Sequence, residues 1–195
     1  MTINIPIILA SGSRYRRELL QRLGIAFDAW SPDVDESSLA GENPRDTALR
    51  LARLKAEAAA QRWPGALIIG SDQVADLDGA PVGKPGTLAN ARKQLRQLSG
   101  HAVLFHTAVC VLNDARARRH ERLVTTDVRF RALSDRDIDR YLAREPALDC
   151  AGSAKSEGLG IALLARVGGE DSTALVGLPL IALCEMLRAE GVEIP

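Results

Sequence analysis

Apolar and polar positions along the first half of the chain form blocks that predict strands and helices in turn. Two short continuous apolar runs, at residues 5–10 and 66–70, are typical of buried strands. Helices are predicted at residues 14–23, 43–61 and 87–98. The second begins at an Asn-Pro pair, which suits a helix cap followed by a first-turn proline.

The second half of the chain is predicted to be richer in strands. Two β-rich segments, 101–112 and 123–132, flank a polar stretch that we expect to be an exposed hairpin loop at 113–121. Further elements are expected as a helix at 134–141, a Gly- and Ser-rich loop at 149–160, a strand at 161–167 and a last helix at 177–190. This order favours an α/β fold with a mixed sheet and helices on its faces.

Composition limits the classes of function. The 195 residues, 46% of them hydrophobic, are enough for one sizeable core, so we expect a single domain over residues 1–195. Lys plus Arg number 25, equal to Asp plus Glu, which gives a formal net charge of zero. A protein that binds a nucleic acid polymer carries a basic excess, so this class is disfavoured. A small anionic ligand held by a few local cations remains compatible.

The cysteines and the apolar runs indicate a cytoplasmic protein. Cys110, Cys150 and Cys184 are far apart and form no CxxC pair, so we expect reduced, buried thiols. The N-terminus lacks a basic region followed by an apolar stretch, which is the pattern of a signal peptide. No apolar run reaches transmembrane length, so we expect no membrane association.

Three arginines stand where a helix disfavours positive charge. Arg14, Arg16 and Arg17 occupy the first turn of a predicted helix, whose N-terminus already carries about half a positive charge. A strand, a turn at Ser11-Gly12-Ser13 and a helix N-terminus together form a typical anion site. The alternative is that the arginines point to solvent.

Lys55 is predicted to lie on an apolar helix face. At 100° per residue, it falls among Ala48, Leu51, Ala52 and Ala59. A lysine there either extends its ammonium group to the surface or meets an anion, and helical spacing alone does not decide between the two.

Asp72 directly follows the predicted strand at 66–70. Ligands in α/β folds gather at the carboxyl ends of strands, although an aspartate in this place also commonly starts a turn. We interpret Asp76 and Asp78 as turn residues. Lys84 lies in a Gly-Lys-Pro-Gly loop that is too short for a phosphate-binding P-loop.

If a metal is used, oxygen ligands are expected. The three histidines are scattered, and no HExxH motif is present. Carboxylates and phosphates suit Mg²⁺ or Mn²⁺, and we place Glu36 and Asp72 near such an ion.

These positions resemble the motifs of the Maf family over nearly the whole chain. The matching segments, in the family's order, are Ile8 to Ser13 with Arg16 and Arg17, Val34-Asp35-Glu36, Lys55-Ala56, Ile69 to Val74, Gly83-Lys84-Pro85, Leu98-Ser99-Gly100, Ala151 to Gly158 and Val176 to Leu180. The resemblance implies a Maf/ITPase-like α/β fold: an elongated, twisted mixed β-sheet flanked by helices, with a cleft between two lobes.

The resemblance also implies an activity. Maf proteins hydrolyse nucleoside triphosphates to the monophosphate and pyrophosphate with a divalent metal. Tyr15, Gln73 and Glu157 resemble the residues that select substrate in the branch acting on 7-methyl-GTP. This interpretation also allows other modified nucleotides as substrates beside 7-methyl-GTP. The alternatives are the branch acting on dTTP and UTP, and a non-catalytic nucleotide-binding regulator of cell division. Whether the chain forms a homodimer is left open.

The remaining roles follow from the same resemblance. Asp72 is similar to the residue that takes a proton from the attacking water, and it could instead act mainly as a metal ligand. Ser11, Arg16, Lys55 and Lys84 are similar to the phosphate-binding residues.

Overall fold

A computed structural model describes residues 5–195 as one mixed sheet with helices on both faces. The strands are β1 (Ile7–Ala10), β2 (Asp28–Trp30), β3 (Leu67–Leu77), β4 (Ala80–Val82), β5 (Ala102–Asn113), β6 (Arg118–Phe130) and β7 (Leu164–Gly168). The α-helices are α1 (Arg14–Gln21), α2 (Pro44–Arg62), α3 (Leu88–Leu98), α4 (Asp135–Arg144) and α5 (Leu180–Ala189).

The sheet has seven strands in the order β2-β1-β3-β5-β6-β7, with β4 paired to the far end of β3. β1 runs parallel to β2 and β3, and all other pairs are antiparallel. The α/β class with a mixed, helix-flanked sheet is therefore confirmed.

Short polar side chains begin four of the five helices. Ser13, Asn43, Thr87 and Ser134 each accept a hydrogen bond from a backbone N–H in the first turn of their helix. These bonds satisfy amides that would otherwise lack a partner at the helix start. For this reason the helix starts are close to those predicted from the sequence.

Three long strands run through two lobes of the core. In one lobe, the inner halves of β3, β5 and β6 pack against α1 and α5 on one face and against α2 on the other. In the second lobe, the opposite halves of the same strands pack against α3 and α4. The predicted two-lobed arrangement is present, and the lobes meet near residues 71–74 of β3.

The structure corrects the predicted end of one strand. The apolar run at 66–70 was expected to end at Gly70, but β3 continues to Leu77 because it pairs with β5 through Asp76. Asp72 therefore lies within a strand and not beyond its carboxyl end. Asp76 also belongs to β3, where it contacts His106 at 3.2 Å, while still accepting the turn hydrogen bond from the Gly79 amide.

Two loop boundaries were also wrong. The hairpin loop expected at 113–121 is confined to residues 114–117, since β5 and β6 stay paired up to Asn113 and Arg118. Residues 159–163 form a 3-10 helix, so the last strand begins at Leu164 and not at 161. Both errors arise because pairing with distant strands sets the ends of these elements.

The remaining sequence expectations concern membranes and thiols. Over residues 5–195, no helix has the length and apolar character needed to cross a bilayer. Cys110 is buried, Cys150 and Cys184 are half-buried, and all three are free thiols.

Candidate active site

A cavity of about 700 Å³ lies where the two lobes meet. Its wall includes the turn before α1, the loop after β2, one face of α2, the middle of β3 and the loop after β4. The segments 149–157 and 175–177 close the other side. All nine residues predicted for the site line this cavity: Ser11, Tyr15, Arg16, Glu36, Lys55, Asp72, Gln73, Lys84 and Glu157.

Lys55 joins two carboxylates at the floor of the cavity. Its Nζ lies 2.6 Å from Asp72 Oδ1 and 2.6 Å from Glu36 Oε1. The Lys55 side chain is only 7% exposed, so its ammonium group meets carboxylates inside the protein and does not reach bulk water. The helical spacing placed Lys55 correctly on the apolar face of α2, and the anionic partners decide between the two interpretations.

Strand alternation sends neighbouring side chains to opposite faces of β3. Asp72 faces α2 and Lys55, whereas Gln73 faces the loop before α5. There the Gln73 amide nitrogen is within hydrogen-bond distance of Thr107 Oγ1 and of the carbonyl oxygens of Ala174 and Leu175. Gln73 thus supports a wall of the cavity that Asp72 does not touch.

Gly70 permits the close approach of β3 to α2. A Cβ atom built at this position would lie 2.2 Å from the Ala52 carbonyl oxygen and 2.9 Å from the Ala56 amide nitrogen. No larger residue fits without moving the helix. Because Lys55 sits between these two contacts, the glycine sets the depth at which Lys55 reaches Asp72.

Only one of the three arginines at the start of α1 belongs to the floor of the site. Arg16 Nε donates to the Gly177 carbonyl at 2.7 Å, and its Nη1 donates to Ser11 Oγ at 3.3 Å. Arg17 is exposed, and Arg14 lies at the rim, where it contacts Tyr15. The expected anion site therefore rests on one arginine, because helical geometry points the other two elsewhere.

The charges around this floor influence one another. Burial lowers the pKa of Arg16, and the nearby Asp72 and Glu36 carboxylates oppose this shift. Burial raises the pKa of Glu36, but the hydrogen bond and charge of Lys55, with the charges of Lys84 and Arg16, outweigh it. The net result is a Glu36 pKa below its usual value, so this carboxylate is ionised at neutral pH.

Tyr15 lies at the other end of the cavity, where charged side chains surround it. Its hydroxyl donates to Asp149 Oδ2 at 3.2 Å. The Arg14 guanidinium lies 4.7 Å from the ring centroid, and Lys155 Nζ lies 5.8 Å from it. Burial raises the pKa of Tyr15, so its hydroxyl is protonated at neutral pH and can donate. Glu157 lines the same end and is exposed.

Two groups near Tyr15 were not predicted from the sequence. Asp149 was included only in the Gly- and Ser-rich loop, and Lys155 only in that loop and in a segment matched to the family. In the structure, Asp149 accepts from the Tyr15 hydroxyl and Lys155 lies near the Tyr15 ring. Asp149 is 134 positions from Tyr15 in the chain, and no local pattern signals a contact at that separation. The Gly177 carbonyl, which orients Arg16, was not predicted for the same reason.

The carboxylates in the cavity could hold a cation such as Mg²⁺ only together with oxygen atoms of a bound ligand. Within residues 5–195 there is no group of three or more His, Cys, Asp or Glu side chains that could enclose a metal. Glu36 and Asp72 nevertheless converge on one point, now occupied by Lys55 Nζ. Mg²⁺ is typically held by one or two carboxylates together with phosphate oxygens, and this pair fits that pattern.

Comparison with known proteins identifies a family and relatives that cover nearly the whole chain. Residues 6–190 match the family model described as Maf-like protein. The 7-methyl-GTP pyrophosphatase of Nitrosospira multiformis is 55% identical over 188 residues, covering 96% of this chain and 95% of the relative. The protein of the same name from Aromatoleum aromaticum is 57% identical over 189 residues, covering 97% of each chain.

A solved structure supports the fold. A HAM1 protein from Coxiella burnetii superimposes with a TM-score of 0.54 at 20% identity, covering 96% of this chain and 98% of that one. At this identity the likeness concerns the architecture alone.

Proposed function

This chain belongs to the Maf family, and we propose that it is a nucleoside triphosphate pyrophosphatase that hydrolyses 7-methyl-GTP to 7-methyl-GMP and pyrophosphate. The observation that carries the proposal is the buried Lys55–Asp72 pair, joined by the more exposed Glu36, at the floor of a cavity large enough for a nucleotide. The names of relatives more than half identical over nearly their full length support the choice of substrate.

Asp72 is the proposed general base. Lys55 engages only Asp72 Oδ1, and within the described residues no hydrogen bond engages Oδ2. Oδ2 is therefore available to accept a proton from a water molecule that attacks the α-phosphorus. Lys55 fixes the orientation of the carboxylate, which general-base catalysis requires.

Cations on both sides of Asp72 are proposed to hold the phosphates. Phosphoryl transfer depends mainly on positioning and on neutralising charge that develops on the leaving oxygens. Arg16 and Ser11 lie at the start of α1, where the helix dipole also favours an anion. Lys84 lies in the loop after β4, close enough for its charge to lower the pKa of Glu36.

Glu36 and Asp72 would hold a divalent cation, Mg²⁺ or Mn²⁺, together with phosphate oxygens. Such an ion supplies charge neutralisation for the phosphates. Lys55 Nζ lies between the two carboxylates, so its positive charge would be close to the same phosphate oxygens.

The base is proposed to bind at the Tyr15 end. Methylation at N7 gives guanine a delocalised positive charge, which an aromatic face attracts and a carboxylate such as Glu157 stabilises. Arg14 now covers one face of the Tyr15 ring, but its side chain is 64% exposed and can move away. Asp149, beside the Tyr15 hydroxyl, adds negative charge at the same end.

The direct test is a screen of nucleoside triphosphates with Mg²⁺ and with Mn²⁺, with identification of both products. We expect 7-methyl-GTP to give the highest kcat/KM and EDTA to abolish turnover. A preference for dTTP or UTP would contradict the substrate and retain the reaction. Nucleotide binding without pyrophosphate release from any triphosphate would contradict the catalytic role itself.

A further inference from the structure

The backbone on both sides of Lys84 is held by two amide side chains of α3. Asn90 Nδ2 donates to the Pro85 carbonyl at 3.0 Å, and Gln94 Nε2 donates to the Gly83 carbonyl at 3.0 Å. These two residues are four apart, so they lie on the same face of the helix. Lys84 itself forms no ion pair with any residue from 5 to 195.

Gln94 also contacts the segment that forms the opposite wall of the cavity. Its Oε1 accepts a hydrogen bond of 2.5 Å from Ser153 Oγ. The orientation of the amide is fixed by chemistry, because the Gly83 carbonyl can only accept and must face the nitrogen. One side chain thus connects the loop that carries Lys84 to the segment 149–157, which forms the Tyr15 end.

Ser153 is held in an unfavourable backbone conformation. It is fully buried and has a φ of +55°, a region that non-glycine residues rarely adopt. Such strain persists only where the surroundings enforce it, and it is common at ligand sites. The hydrogen bond to Gln94 is the side-chain contact that holds Ser153 in place.

We propose that Gln94 is a positioning residue for substrate binding. It does not line the cavity, and it acts by fixing the Gly83–Lys84 backbone and by joining it to the wall that holds the base. A lysine on an exposed loop loses backbone freedom when it binds phosphate, and a backbone that is already fixed reduces that loss. This inference rests on the proposed role of Lys84 in phosphate binding.

The test compares Gln94→Ala and Gln94→Glu with the control Gln97→Ala. Gln97 is exposed on the same helix and, within the described residues, makes no side-chain hydrogen bond. Both Gln94 variants should raise KM for 7-methyl-GTP and weaken binding of inorganic pyrophosphate by about 5- to 10-fold, with a smaller change in kcat. Glutamate can still accept from Ser153 but cannot donate to Gly83, so it should behave like alanine.

Two further measurements separate positioning from a structural role. In a Lys84→Ala background, Gln94→Ala should change pyrophosphate binding less than about twofold, because Gln94 acts on pyrophosphate through Lys84. The proposal would be overturned if Gln94→Ala weakened pyrophosphate binding equally in both backgrounds, or if the Gln94→Glu enzyme bound substrate like wild type. It would also be overturned if the Gln94 variants lowered the melting temperature and left KM unchanged.

Failure of this proposal is distinguishable from failure of the proposed function. If wild type hydrolyses 7-methyl-GTP and the Gln94 variants match it, only the positioning role is lost. If wild type binds pyrophosphate in a Gln94-dependent way but hydrolyses no triphosphate, the positioning role stands and the function does not. A wild type that binds no pyrophosphate contradicts both.

Discussion

Asp72 and its lysine partner are the residues on which the proposed chemistry depends. Lys55 contacts one carboxylate oxygen of Asp72 and leaves the other without a hydrogen bond from the described residues. The same lysine binds Glu36, which gathers opposite charges at the point where phosphate is expected. A structural ion pair could be replaced with little loss of turnover, so substitution discriminates between the two roles.

Asp72→Asn should fold normally and lose at least ~100-fold in kcat, the scale typical of general-base catalysis. Asparagine keeps the shape of the side chain and can still accept from Lys55, but it cannot take a proton. The measurement is kcat at saturating Mg²⁺ together with the melting temperature. Turnover within a few-fold of wild type would show that Asp72 is not the base.

Tyr15 and Glu157 should create the preference for the methylated base. Tyr15→Ala and Glu157→Gln are each expected to shrink the ratio of kcat/KM for 7-methyl-GTP over GTP several-fold, equivalent to about 1 kcal/mol. Tyr15→Phe is the matched control, because it keeps the aromatic face and loses only the hydrogen bond to Asp149. A ratio that neither Tyr15→Ala nor Glu157→Gln alters would contradict the assignment of base recognition.

The sequence predicts the position of a site residue well when that position is determined by neighbouring residues in the chain. Lys55 was placed correctly because helical periodicity is local. Asp72 was assigned for a partly wrong reason: it was expected after a strand end, but β3 continues because of pairing with β5. The contact between Tyr15 and Asp149 joins residues 134 positions apart, and no local pattern reports it.

Among the elements, the contact between α2 and β3 sets the geometry of the site. Gly70→Ala should destabilise the fold by about 1–3 kcal/mol, the usual cost of overpacking a core, and it should lower activity by displacing Lys55. Gly169→Ala is a milder control, since its nearest neighbour, Thr126 Oγ1, would lie at 3.3 Å. Equal melting temperatures for the two variants would contradict the close approach described for Gly70.

The loop that carries Glu36 is attached to α2 by a second ion pair. Arg50 donates to both Glu42 carboxylate oxygens at 2.6 and 2.8 Å and to the Ser37 carbonyl at 2.9 Å. The hydrogen bond from Arg50 lowers the pKa of Glu42 from 4.5 to about 2. Since the folded state binds this proton less readily, the stabilisation is present above about pH 4.5 and is lost as the pH falls through about 2.

Glu42→Gln should therefore melt at a lower temperature than wild type at pH 7, and the difference should shrink between about pH 4.5 and 2. The control Glu193→Gln removes an exposed charge that has no ion pair within residues 5–195, and it should match wild type throughout. If Glu42→Gln lowered the melting temperature by the same amount at every pH, the ion pair would not be the cause of the difference.

For the whole molecule, the two lobes and the three strands they share explain why the cavity lies where it does. The α/β class was predicted because caps and apolar runs are local signals. The position of the cleft depends on how the two lobes meet across the shared strands. All nine predicted site residues line one cavity, although they come from segments spread over positions 11 to 157.

Hydrolysis of 7-methyl-GTP in ¹⁸O-labelled water, with mass analysis of both products, tests the central claim most directly. Attack of water on the α-phosphorus predicts 7-methyl-GMP that carries the label and unlabelled pyrophosphate. Label in pyrophosphate, release of 7-methyl-GDP and orthophosphate, or no turnover would contradict the account.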